Sequence, residues 1–192
     1  MLDENAKKQR DFFNRLAPEW REKPEYKLNA EKALSPIKFK VGERVLDVAC
    51  GSGALDSTLL SYGLKVDAID VSDKMIEKAK SDERNAGVNF IVGDFYQHAG
   101  EYDKILVFDA YPHFKDKIAF KNSAARMLGK EGELWIFFDD GREGIDSHHG
   151  GLSDISVGLR LPEEESEDLA PEFTPFFVYS DEKSYYLGLK RN

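Results

Sequence analysis

Three carboxylates stand at or just past the ends of three apolar runs, and their repetition is the first chemical signal in this chain. VLDVACGSG, residues 45–53, passes Asp47 and enters a loop with almost no side-chain bulk. AIDVS, residues 68–72, ends a second apolar run on Asp70. GDF, residues 93–95, places Asp94 and Phe95 after a third. Gly51 and Gly53 permit backbone angles closed to other residues and let a ligand approach the main chain closely. A carboxylate where Asp70 stands can accept both hydroxyl protons of a ribose. An acid followed by an aromatic ring can bond an adenine amino group and pack on its face. Each feature alone has a plainer reading: a strand-to-helix turn, an Asp70 capping the helix that Ser72 and Asp73 begin, a turn with a core phenylalanine. Their recurrence in this order favours a nucleoside-type ligand.

Cys50, the single cysteine, lies in the first loop. A low-pKa nucleophile needs a neighbouring cation or base, and the flanking residues supply neither. Only a nearby helix N-terminus would activate it, so small buried filler is the expected role.

The elements that position these residues follow from hydrophobic periodicity. Residues 4–20 carry Phe12, Phe13, Leu16 and Trp20 at helical spacing. A polar connector around Pro24 and Tyr26 and a short helix over residues 30–37 are expected next. Strands are expected at 44–48, 65–69, 88–92, 104–108 and 133–138. Helices are expected at 54–62, closed by Gly63, at 73–85 and at 116–128. This alternation predicts a doubly wound α/β fold, mostly parallel, with helices on both faces. The helix after Gly53 would offer free N–H groups and a positive dipole end to an anionic group. Residues 141–161 are glycine-rich without strong periodicity and read as a long functional loop. Pro162 opens a short acidic helix, and residues 173–179 and 184–189 form antiparallel neighbours. The expected organisation is an N-terminal helical lid segment, 1–40, ahead of a ligand-binding domain, 41–192.

Composition narrows the function class. A formal net charge of -9 disfavours binding to a phosphate backbone, so no nucleic-acid partner is expected. One cysteine excludes an internal disulfide and fits a reducing, cytoplasmic compartment. The start MLDENAKKQR is no signal peptide, and no apolar run approaches the roughly 18 residues of a membrane span. Oligomeric state is not legible in these residues.

DVACGSG, AIDVS, GDF and YDKILVFDAYPHF resemble, in order and spacing, the motifs of class I S-adenosylmethionine-dependent methyltransferases. The resemblance runs over almost the whole chain, from the FFNRLAPEW helix to the final strand. It implies a seven-stranded sheet with a C-terminal antiparallel hairpin, S-adenosylmethionine as cofactor, and methyl transfer to a small molecule. The family's loop reads acid-x-Gly-x-Gly-x-Gly; Asp47, Gly51 and Gly53 match, and Ala49 replaces the first glycine. By resemblance, Asp47 and the backbone of Ala49, Cys50, Gly51 and Gly53 hold the methionine end. Asp70 takes the ribose, Asp94 and Phe95 the adenine, and Val71, Met75 and Phe108 complete the cofactor set.

Methyl transfer from a sulfonium is an in-line displacement that needs alignment and exclusion of water. A base is needed only where the acceptor keeps its proton. His113 in DAYPHF and His149, beside His148 in the glycine-rich stretch, are the catalytic candidates; a turn histidine and a solvated pair are the plainer readings. The His pair lacks partners at metal-binding spacing, so no metal is expected. Trp20 and Tyr26, beyond Pro18, are lid candidates, and Tyr111 a substrate-facing one. Ala110 and Tyr111 break the Asn/Asp-Pro-Pro-aromatic run of enzymes that methylate adenine or glutamine nitrogens. No inserted recognition domain interrupts the strands, which points to a small acceptor. Three alternatives stand beside this reading. An NAD(P)-dependent oxidoreductase is weakened by Asp56, where a third Gly or Ala is wanted, and by the terminal hairpin. A macromolecule methyltransferase is weakened by acidity. A non-catalytic S-adenosylmethionine-binding module is weakened by the presence of all three carboxylates.

Overall fold

The computed structural model describes residue 2 and residues 4–20, 24–149 and 154–192, with Pro24, His148 and His149 described by backbone alone. Its strands form one seven-stranded sheet in the order β3-β2-β1-β4-β5-β7-β6, the doubly wound architecture expected. The chain forms two compact units, Met1–His98 and Ala99–Asn192.

The first unit holds α1 (Glu4–Leu16), α2 (Pro24–Ala33), β1 (Arg44–Val48), α3 (Asp56–Ser61), β2 (Lys65–Asp70), α4 (Asp73–Ser81) and β3 (Asn89–Val92). β2 pairs in parallel with both β1 and β3, with Asp47 opposite Ala68 and Asp70 opposite Val92. Val45, Leu46 and Val48 are all buried, the continuous apolar run of a strand covered on both faces. Met75, Ile76 and Ala79 form the buried stripe of α4, whose first turn is capped by the Ser72 hydroxyl accepting from the Met75 amide at 3.1 Å. Asn14 latches α1 to that turn. Its Oδ1 accepts from the Ser72 hydroxyl at 2.6 Å, and its Nδ2 donates to Asp73 at 2.8 Å. The Lys27–Asp82 ion pair at 2.8 Å ties α2 to the segment after α4.

Several boundaries in this unit differ from the periodicity reading: α1 ends at Leu16 and α4 at Ser81, short of the expected residues 20 and 85, and two further helices start elsewhere. The helix expected over 30–37 runs instead from Pro24 to Ala33, so Tyr26 lies inside it. Proline is pre-organised for the first helical position, and the polar sequence that follows hid the helix. The helix after the glycine loop starts at Asp56, not near Ala54, and spans only six residues.

The second unit holds β4 (Tyr102–Phe108), α5 (Lys117–Met127), β5 (Leu128–Phe138), α6 (Arg142–His149), α7 (Pro162–Leu169), β6 (Phe173–Ser180) and β7 (Tyr185–Arg191). β4 and β5 are parallel, and β7 lies antiparallel between β5 and β6. Ile105, Leu106, Val107, Leu134, Ile136, Leu187 and Leu189 are fully buried at its centre. β5 begins earlier than expected because Leu128 pairs with Tyr102 before the register shifts to Lys104–Glu133. Part of the stretch read as a loop, 142–149, is helical. Ile145 is its one buried apolar anchor, too little to create a period, and its amide bonds to the Gly141 carbonyl at 3.0 Å. Among the described residues no helix is long and apolar enough to cross a membrane.

The Asn14 latch yields a direct expectation. Asn14→Ala removes the partners of Ser72 and Asp73 and should cost about 1–2 kcal/mol in urea unfolding. A cost no greater than that of alanine at exposed Arg15 would show that the latch carries no weight.

Candidate active site

The glycine loop is built from alternating left-handed residues. Ala49, Gly51 and Gly53 have φ of 57°, 54° and 84°. The three glycine positions of the motif that this loop resembles share one backbone conformation here, and Ala49 occupies the first at the steric cost of its Cβ. A Cβ on Gly51 would meet nothing within 4 Å, so the main chain there is open to a ligand. A Cβ on Gly53 would stand 2.8 Å from Asn85 Nδ2 and 2.9 Å from Asp56 Oδ2.

Asp70 braces this loop. One carboxylate oxygen accepts from the Gly51 amide at 2.9 Å and the other from the Ser72 amide at 2.8 Å. Burial raises its pKa, and these N–H donors oppose that rise. Asp47 and Asp56 lie behind it, both buried. Burial pushes Asp47 well above the carboxylate range, and the neighbouring Asp56 and Asp70 push it further. Asp56 is raised to about 7, again chiefly by burial. In sequence Asp56 stands out only as the residue where a dehydrogenase needs Gly or Ala; the fold buries it against the glycine loop. Cys50 packs with Ala68 and Ile76, and burial, then the three aspartates, hold its thiol up, which fits filler and not a nucleophile.

The expected anion site at the following helix is not there. α3 opens on Asp56, a buried acid, because the left-handed loop consumes the chain through residue 53. A helix that begins on a carboxylate repels an anion at its N-terminus.

The remaining cofactor candidates of this unit sit close by in sequence. Asp94 accepts from the Tyr96 amide at 2.9 Å and from Gln97 Nε2 at 3.2 Å, capping a single tight turn over 95–97. Phe95 is buried and Val71 half-buried, whereas Met75 is fully inside the core stripe of α4. Trp20 and Tyr26 are both half-buried, Trp20 closing the turn Ala17–Glu19 and Tyr26 within α2.

In the second unit, Phe108 is buried with its ring 5.1 Å from Phe137. His113 is half-buried with Nδ1 3.2 Å from the Ile155 carbonyl, a contact that fixes its ring. Tyr111 does not face a substrate as expected. It is wholly buried, its hydroxyl 3.4 Å from Glu165 and its ring 3.3 Å beneath the Lys117 ammonium, which also donates to the Tyr111 carbonyl at 3.0 Å. It braces the turn that carries His113. Burial pulls Lys117 down to about 8. His149 closes α6, and its side chain, like that of His148, lies outside the described residues. Among the described residues no group of three metal-ligating side chains converges.

Asp109 was missed by the sequence reading. It follows β4 in the left-handed conformation, φ 51°, and its Oδ1 lies 3.4 Å from the Asp139 amide. Burial, then Asp139, raises its pKa well above normal. The signal that could have found it, an acid closing an apolar run, is the one that found Asp70.

Comparison with known proteins accords with this geometry. Residues 46–136 match the family model described as a methyltransferase domain. That match spans just under half of the chain, and the seven-stranded sheet with its antiparallel end is the fold of the methyltransferase structures that superpose on it. A ubiquinone biosynthesis O-methyltransferase of Bordetella avium is 27% identical over 143 residues, which cover 67% of this chain and 58% of that protein. This chain thus spans less than two thirds of the curated relatives it matches first. Magnesium protoporphyrin IX methyltransferase from Synechocystis PCC 6803, solved with bound SAH, superposes with a TM-score of 0.72 at 17% identity, covering 98% of this chain and 100% of that one. A Haloferax volcanii methyltransferase structure, solved in complex with the Trm112 methyltransferase activator, superposes with a TM-score of 0.78 at 18% identity, covering 95% and 96%.

The loop geometry orders three substitutions. Ala49→Gly relieves a left-handed Cβ and should be neutral or stabilising by up to about 1 kcal/mol. Gly51→Ala should cost about 1–2 kcal/mol through φ alone. Gly53→Ala should cost more than Gly51→Ala, since it also displaces Asn85 and Asp56. Denaturant unfolding of the three variants checks the order, and a destabilised Ala49→Gly would contradict the conformational account.

Proposed function

We propose that this protein transfers a methyl group from S-adenosylmethionine to a small-molecule acceptor. The observation that carries this reading is the charge of the glycine loop. Asp47, Asp56 and Asp70 are buried around an open backbone, and the groups acting on them include no Lys, Arg or His among the described residues. A dinucleotide would bring a pyrophosphate, two negative charges, into that acidic surrounding. S-adenosylmethionine brings a sulfonium and an ammonium, which such a site attracts. The donor supplies an electrophilic methyl on sulfur.

The chain's residues bind and orient. Asp70 accepts the Gly51 amide on one oxygen and the Ser72 amide on the other, and in this reading its remaining acceptor capacity takes the ribose hydroxyls. Asp94 and Phe95 serve the adenine, and Asp47 with the backbone of residues 49–53 serves the methionine end. Trp20 and Tyr26 are lid residues in this reading. On the acceptor side, His113, pinned by the Ile155 carbonyl, and Asp109 are the groups that can take a proton from a hydroxyl or amine. The name of the Bordetella relative supports an oxygen acceptor on a small molecule. The net charge of -9 argues against a nucleic-acid substrate, and the single cysteine supports a cytoplasmic location.

Thermal melting with S-adenosylmethionine, S-adenosylhomocysteine and NAD in parallel tests the donor. At about 100 times its dissociation constant a ligand adds about 2.7 kcal/mol, so both adenosyl ligands should raise Tm and NAD should not. A rise with NAD alone would sink the reading. Asp70→Ala should lower Tm without ligand, through loss of the Gly51 and Ser72 bonds, and should abolish the adenosyl-ligand shift.

A further inference from the structure

Asp56 makes no contact with the donor in the binding scheme above, and Asp47, which serves the methionine end there, titrates together with it. Asp56 is 0% exposed, and neither of its oxygens has a hydrogen-bond partner. Asp47, 2% exposed, lies against it from β1. The titratable groups facing the pair are Asp70 from β2 and Cys50 from the loop, and the polar neighbour from residues 83–85 is the Asn85 amide, whose Nδ2 gives one of its two hydrogens to the Ala79 carbonyl and whose Oδ1 has no partner. No Lys, Arg or His among the described residues acts on either carboxyl. Two ionised carboxylates cannot share such a place without a counter-cation. A proton between them satisfies both: one carboxyl donates, the other accepts, and the unpartnered oxygens of Asp56 gain a partner.

We propose that Asp47 and Asp56 share one proton in the free protein, and that binding of the cationic methyl donor expels it to solvent. This rests on the donor assignment of the preceding section. The donor carries one more positive charge than its demethylated product, and that charge replaces the proton as counter-cation to the pair. Binding of the donor is then tighter as pH rises, by roughly tenfold per unit below the pair's upper ionisation, and level above it. The product, lacking the sulfonium charge, releases fewer protons and shows a shallower dependence. Charge alone thus makes the pair favour donor over product more strongly at higher pH.

Without ligand the same pair has a linked effect on folding. Both carboxyls are raised above their unfolded values, so the folded state holds the extra proton. Its stabilising effect is therefore fully present below the unfolded pKa and is lost as pH rises through the folded one. Asp56→Asn removes the titration while keeping the shape, and its Tm relative to wild type should climb from about pH 5 to about pH 8.

Titration calorimetry of the full chain tests the proposal directly. Donor binding near pH 6, repeated in buffers of different ionisation enthalpy, should release close to one proton from wild type and measurably less from Asp56→Asn. The ligand's own amino group titrates equally against both proteins, so the variant is the reference. Donor that binds wild type with no proton release and a pH-independent affinity overturns the proposal and leaves the donor assignment intact. Failure of the donor to bind at any pH overturns the assignment itself. Where Asp56→Asn does not fold, S-adenosylhomocysteine, which carries the same amino group without the sulfonium charge, serves as the reference: equal proton release for the two ligands on wild type overturns the proposal.

Discussion

The Asp70 carboxylate joins two pieces of chain that would otherwise be independent. Its Oδ2 takes the amide of Gly51, in the loop after β1, and its Oδ1 takes the amide of Ser72, at the start of α4. The loop can hold three left-handed residues in five positions because this carboxylate anchors its middle. Ser72, placed by the second bond, then caps α4 and meets Asn14 from α1. One side chain thus sets the loop, the first turn of a helix and the docking of the N-terminal segment. A ligand that reaches the remaining lone pairs of Asp70 acts on all three at once.

The repeated acid at the end of an apolar run made β1, β2 and the loops after them legible from sequence. Val45, Leu46 and Val48 of β1 and Val66, Ala68 and Ile69 of β2 are buried, so each strand reads as a short, mostly apolar run beside an acid. α6 was not legible, because Ile145 is its only buried apolar residue and one anchor makes no period. The start of α2 at Pro24 was hidden for the converse reason: local backbone preference, not hydrophobic pattern, begins that helix. The fate of Tyr111 depended on Lys117 and on Glu165, which lies 54 positions away, and no local reading joins them. Asp109 carries the same signal as Asp70, an acid closing an apolar run, four residues before His113.

Tyr111 shows how the second unit positions its own turn. A buried tyrosine hydroxyl needs a partner, and Glu165, itself buried on α7, supplies one. Glu165 is in turn held by Arg160, whose amide and guanidinium both reach it. From the other side Lys117, in the first turn of α5, lies over the ring and bonds the Tyr111 carbonyl. The turn bearing His113 is therefore gripped by two helices, and its rigidity comes from charged groups, not from apolar packing alone.

Cys50 has a practical meaning that follows from its burial. It is the chain's only thiol, and it sits within the glycine loop with its side chain packed against Ala68 and Ile76 and its ionisation suppressed. A thiol reagent can reach it only when that loop lifts off the sheet. The labelling rate of the whole protein is therefore a clock for opening of one loop, with no engineered probe and no competing site, and any ligand that clamps the loop will slow that clock in proportion to its occupancy.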